Sequence, residues 1–71
     1  MVERNREEML PLGKLALVLK VHPSTVTRWC EIGRTNRRTG QEVFLRRRQK
    51  GGRFFSCLAW YDTFEEALNQ E

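Results

Sequence analysis

The run from Leu12 to Gly33, LGKLALVLKVHPSTVTRWCEIG, limits the possible folds of this chain more than any other stretch. It holds two short helical patterns separated by a tight turn. Leu12, Leu15, Ala16 and Leu19 recur at i, i+3, i+4 and i+7, one face of a helix. Val21 and His22 make the turn. Pro23 then stands where the first position of a helix favours it, because its missing N–H would have no partner there and its φ is already set. Val26, Trp29 and Cys30 repeat the i, i+3, i+4 spacing, and Gly33 supplies a stop. The spacing predicts one helix over about 12–20 and a second over about 23–32. Pro11 is the start signal for the first.

At about 100° per residue, the side of the second helix opposite Val26 carries Ser24 and Arg28, flanked by Thr27 and Glu31. Short hydroxyls permit close approach, and Arg28 can reach phosphate oxygens or fork onto guanine O6 and N7. The stretch resembles the helix-turn-helix family, whose spacing Ala16, Val21, Val26 and Trp29 follow. The resemblance implies that the second helix lies in a major groove. Lys20 departs from it, standing where the family usually has Gly, and a left-handed Lys costs energy. An ordinary amphipathic helical hairpin is the alternative for this stretch.

Charge is distributed unevenly. Residues 28–53 hold nine basic groups against Glu31 and Glu42, a local +7, whereas residues 54–71 hold no Lys or Arg and four acids, a local −4. A polarised field of this kind suits one face toward a polyanion and another toward solvent or a partner. The 33–40 stretch, GRTNRRTG, has loop composition and carries Arg34, Arg37 and Arg38, which can lie along a phosphate backbone.

Residues 41–57, QEVFLRRRQKGGRFFSC, predict a β-hairpin. Val43, Phe44 and Leu45 form the apolar part of one strand, Phe54 and Phe55 begin the return strand, and Gly51-Gly52 makes the turn. Alternation sets Val43 and Leu45 against Phe44, Arg46 and Arg48, without deciding which face is core. The Lys50-Gly51-Gly52-Arg53 tip is cationic and unbulky, suited to a minor groove or a phosphate strand. Protection of an edge strand by charge is the alternative. Ser56 is placed to cap a last helix over about 57–69, with Trp60, Phe64, Ala67 and Leu68 on its apolar face and Leu58 and Tyr61 beside it. Thr63 to Glu66 matches a capping box at which that helix could restart. The aromatic stripe is expected to close a core against the second helix, with Trp29 opposite.

The order helix, turn, helix, basic loop, glycine-tipped hairpin, helix is an α+β winged helix-turn-helix: two N-terminal helices, a two-stranded wing and a C-terminal helix. Over residues 11–68 the chain resembles the small MerR-type winged-helix proteins, and among them the excisionase-like group of phages and mobile elements. HPSTVTRW at 22–29, Gly33, GGRFFS at 51–56 and the aromatic helix carry the resemblance. It implies a recombination directionality factor that binds and bends attachment-site DNA, often cooperatively, and steers an integrase toward excision without performing chemistry. Ser24, Thr25, Thr27 and Arg28 would meet the major groove. Lys50, Gly51, Gly52 and Arg53 would form the wing. From the charge distribution itself, Arg34, Arg37, Arg38, Arg46, Arg48 and Lys50 are expected to contact phosphates. About five phosphate contacts give a salt slope of roughly −4 to −5. Glu31 near the DNA face departs from this picture, because it would repel phosphate.

The chain has 71 residues, a length that suits one domain with a small core, over 11–71, after a polar lead-in at 1–10 expected to fray. No apolar run approaches the ~20 residues of a membrane span, and the expected setting is cytoplasmic and DNA-associated. Cys30 and Cys57 lack metal-ligand spacing and read as small core residues, a disulfide being the alternative. His22 is the one histidine and falls at a helix N-cap; Glu65 and Glu66 are adjacent and diverge on a helix. No catalytic set, cofactor loop or metal site is expected. The rival functions are a small transcriptional regulator with the same DNA chemistry and a protein-interaction module.

Overall fold

A computed structural model describes residues 5–69. It is a small α+β structure of three helices and short antiparallel strands: β1 (Leu10–Pro11), α1 (Leu12–Leu19), α2 (Pro23–Glu31), β2 (Arg34–Thr35), β3 (Glu42–Val43), β4 (Arg48–Lys50), β5 (Arg53–Ser56) and α3 (Leu58–Leu68).

The first two helices follow the sequence pattern closely. Leu12, Leu15 and Ala16 of α1 and Val26 and Trp29 of α2 are buried where the two pack together. The turn between them is closed by Lys20 at φ 61°, a left-handed residue whose N–H donates back to the α1 carbonyls of Ala16 and Leu17. The hydrogen bonds and the packing behind them outweigh the steric cost of a Cβ in that region. Gly33 ends the second helix at φ 78°, and its N–H donates to the Arg28 carbonyl at 3.0 Å. Only glycine fits there: a Cβ would stand 2.5 Å from the Val43 carbonyl oxygen and 3.0 Å from the Phe44 ring.

Two sheets follow. One has the order β1-β5-β4, with Leu10 opposite Ser56, Arg48 opposite Phe55 and Lys50 opposite Arg53. The other is the pair β2-β3, with Arg34 opposite Val43. The expected pairing of Val43–Leu45 with Phe54–Phe55 is therefore not formed. A two-residue Gly51-Gly52 turn fixes the register, so the partners of Phe54 and Phe55 must be Gln49 and Arg48. Val43 is instead taken by the strand leaving Gly33. Residues 33–40, expected as a loop, contribute β2 and a turn held by Asn36.

Leu45 settles the undecided face. It is buried, its N–H donates to the Trp29 carbonyl at 3.1 Å, and Phe44 points outward, 49% exposed. Trp29 closes the core against the last helix, its ring centroid 5.5 Å from Phe64 and 5.8 Å from Tyr61. Cys57 is buried, Cys30 half-buried, and both are free thiols.

The start of α3 differs from expectation. Ser56 does not cap it. Its buried hydroxyl donates to the Arg46 carbonyl at 2.7 Å, and Cys57 is the N-cap without a side-chain bond. The Ala59 N–H is satisfied by the Arg6 carbonyl at 2.8 Å, while the Arg6 guanidinium makes a two-pronged contact with Asp62 at 2.7 and 2.6 Å. The segment expected to fray at 1–10 is thus docked over its described part, residues 5–10, because it supplies an orphan helix donor with its acceptor. Residues 1–4 lie outside the described residues. No helix restart occurs at Thr63, whose hydroxyl donates back to the Ala59 carbonyl within one continuous helix.

Candidate nucleic-acid interface

The second helix exposes its polar side as the sequence pattern predicts. Ser24 and Arg28 are exposed, while Thr25 and Thr27 are half-buried. His22 is the N-cap: its Nδ1 accepts the Ser24 N–H at 3.1 Å and lies 2.7 Å from the Ser24 hydroxyl. Because the backbone N–H requires Nδ1 to accept, the hydroxyl donates to it as well. Ser24 therefore presents its oxygen outward as an acceptor. Glu31 has its carboxylate 3.7 Å from Nη1 of Arg47, which offsets the repulsion it would exert on phosphate.

Arg47 was not a candidate in the sequence. It is the half-buried member of the RRR run, its guanidinium 3.9 Å from the centre of the Phe54 ring, so it spans from the end of α2 to β5. Its Nη1 is buried and has no hydrogen-bond partner among the described residues. Burial pushes the Cys30 thiol pKa up, with Arg47 opposing and Glu31 adding to the shift. A thiol held in its protonated form is a poor nucleophile.

The candidate cations outside α2 divide into three groups. In the β4–β5 hairpin, the register puts Arg48, Lys50, Arg53 and half-buried Phe55 on one face of the sheet, with Gln49, Phe54 and buried Ser56 on the other. The tip turns through Gly51 at φ 56° and Gly52 at φ 76°, both exposed. Lys50 and Arg53 are like charges directly opposite each other, an arrangement that costs energy in the free protein and is relieved beside a polyanion.

Arg34, Arg37 and Arg38 form the second group, in and after β2. With Glu65 and Asn69 they line an open cavity of about 280 Å³ at the C-terminal end of α3. That helix has no basic residue in its last turn, so these arginines face the negative end of its dipole. The group is held by Asn36, which is only 4% exposed. Its Nδ2 donates to the Ala67 carbonyl at 2.9 Å, and its Oδ1 accepts the N–H groups of Arg38 and Thr39. Nearby, burial and a 2.9 Å hydrogen bond to Glu65 raise the pKa of Tyr61, with Arg34 opposing.

Arg46 stands apart as the third. Its guanidinium carbon lies 4.9 Å from the centre of the Trp60 ring on α3. The sequence-derived set is thus not one contiguous patch: the hairpin cations are assembled by register, while Arg34, Arg37, Arg38 and Arg46 are arranged against the last helix. Among the described residues no cluster of His, Cys, Asp and Glu could hold a metal ion, and no helix is long and apolar enough to cross a membrane. No protein-family model, curated protein or solved structure matches the chain.

Proposed function

We propose that this chain binds double-stranded DNA as a winged helix, with α2 in the major groove and the β4–β5 hairpin as the wing. The observation that carries this reading is the outer face of that hairpin. Arg48, Lys50 and Arg53 share it beside a tip of two glycines, and Lys50 and Arg53 are held in mutual repulsion. A phosphate backbone supplies the missing counter-charge. Ser24 and Arg28 on α2 supply base contacts, Ser24 as acceptor and Arg28 as a forked donor. Arg47 contributes by holding the wing to the end of α2 rather than by touching DNA.

The resemblance of HPSTVTRW and GGRFFS to the excisionase-like group favours attachment sites as the target, where a bent DNA would assist an integrase. Nothing in this role requires catalysis by the chain. The test is a gel-shift titration on random-sequence duplex at two salt concentrations, followed by selection of a preferred site. Arg28→Ala is expected to weaken the selected site by about 1–3 kcal/mol while leaving random duplex nearly unchanged. No binding at low salt, or an equal loss on both duplexes, would refute the assignment of α2 as the reading element. Footprints of the selected site then separate attachment DNA from a promoter.

A further inference from the structure

We propose that the groove between residues 43–46 and α3 is a docking site for another protein, which presents an acidic peptide with one apolar anchor residue. Val43, Phe44, Trp60 and Phe64 give the groove apolar walls, Thr63 and Arg46 stand at its rim, and its volume of about 140 Å³ suits a single large apolar side chain. The chemistry goes beyond DNA binding, because a deoxyribose-phosphate strand offers no side chain to fill such a groove.

Three observations support the proposal. Phe44 is 49% exposed, and one side of its ring lies against Gly33, where a Cβ would stand 3.0 Å from it. Trp and Arg, both present at this groove, are enriched among the residues that dominate interface energetics. Next, the Arg46 guanidinium carbon lies 4.9 Å from the centre of the Trp60 ring, so an exposed cation with donors for a carboxylate stands beside the apolar wall. Lastly, no residue lining the groove is acidic, so the cationic rim has no counter-charge within it. This selects an acidic occupant. A second copy of the chain is a poor match: among the described residues its most exposed apolar side chain, Leu17 at 77%, lies on α1 with Lys14 and Lys20 three residues to either side, and the next, Ile32 at 65%, adjoins Glu31, whose carboxylate already faces Arg47.

The test selects random twelve-residue peptides displayed on phage against the whole chain, with the Phe44→Ser chain as soluble competitor. Enriched peptides are expected to carry Asp or Glu within about three residues of Leu, Phe or Trp. The best of them, made synthetically, should bind about tenfold more weakly to Arg46→Gln and to Thr63→Glu. Thr63 is exposed, so its replacement leaves the fold in place and sets a carboxylate at the rim. Phe44→Ser should lose the peptide while its affinity for duplex DNA stays within twofold, which separates failure of this site from failure of the DNA reading. Several results would overturn the proposal: no enrichment, enriched peptides without acidic residues, or binding indifferent to Thr63→Glu. A dimer in sedimentation that Phe44→Ser dissolves would overturn it too, by giving the groove to a second copy.

Discussion

Two hairpins of this chain share a composition and differ in what surrounds them. Both are short, both carry three basic residues, and both contain glycine with positive φ. In the β2–β3 hairpin the turn is pinned from beneath by buried Asn36, and its arginines adjoin the C-terminal end of α3. The β4–β5 hairpin instead attaches to the rest through β1 and the inner residues Phe54 and Ser56; its tip and the cations of its outer face stay exposed, with Met9 beside Phe55 on that face. Cationic composition therefore does not identify a contact surface. What distinguishes the two is where the counter-charge lies: a helix terminus sits beside one and open solvent beside the other.

Removing Asn36 should break the first hairpin and spare the second. Asn36→Ala leaves the Ala67 carbonyl and two turn N–H groups without partners, at a cost of about 2 kcal/mol. That corresponds to a melting temperature lower by roughly 10 °C in a domain of this size. The folded fraction should keep its DNA affinity; a loss of affinity beyond the unfolded fraction would place the first hairpin on the DNA.

The reciprocal change is Lys50→Ala with Arg53→Ala. It removes two charges that repel each other, so thermal stability should hold or rise. Affinity for every duplex should fall about tenfold, as for the loss of two phosphate contacts. A drop in stability with unaltered DNA binding would reverse the roles given to the two hairpins. Smallest of all, Arg37→Ala should move DNA affinity less than about twofold and the melting temperature by about 2 °C or less, because the helix-terminus interaction of a surface arginine is largely screened. A circular-dichroism melt and a gel shift on the same preparation measure both quantities.

Much of this arrangement can be read in the residues. The 3.6-residue period of Leu12 to Leu19 and of Val26 to Cys30, Pro23 at the first helical position and the Gly51-Gly52 tip each act locally, and each element forms where its signal lies. The strand register is legible too, although apolar content points elsewhere: counting back from a two-residue turn pairs Phe55 with Arg48 and leaves Val43 out of reach. Apolar content drew the first strand to Val43–Leu45, where burial of Leu45 against Trp29 explains the same residues better. Other features have no local signal. Asn36 looks like a turn residue, and only Ala67, distant in sequence, makes it a buried clamp. The Arg6 carbonyl serves α3 through a contact between residues 53 positions apart. Arg47 is indistinguishable from Arg46 and Arg48 until the chain path shows one over Phe54, one over Trp60 and one on the outer face of the β4–β5 hairpin.

The most direct test of DNA binding through α2 and the wing is the dependence of affinity on salt, measured for the wild type and the Lys50→Ala, Arg53→Ala variant on one random-sequence duplex. Three phosphate-contacting cations, Arg48, Lys50 and Arg53, give a slope of log affinity against log salt of roughly −3, and the variant should be flatter by about 2. A slope near zero would contradict DNA binding, and a slope unchanged in the variant would contradict the wing as its phosphate contact.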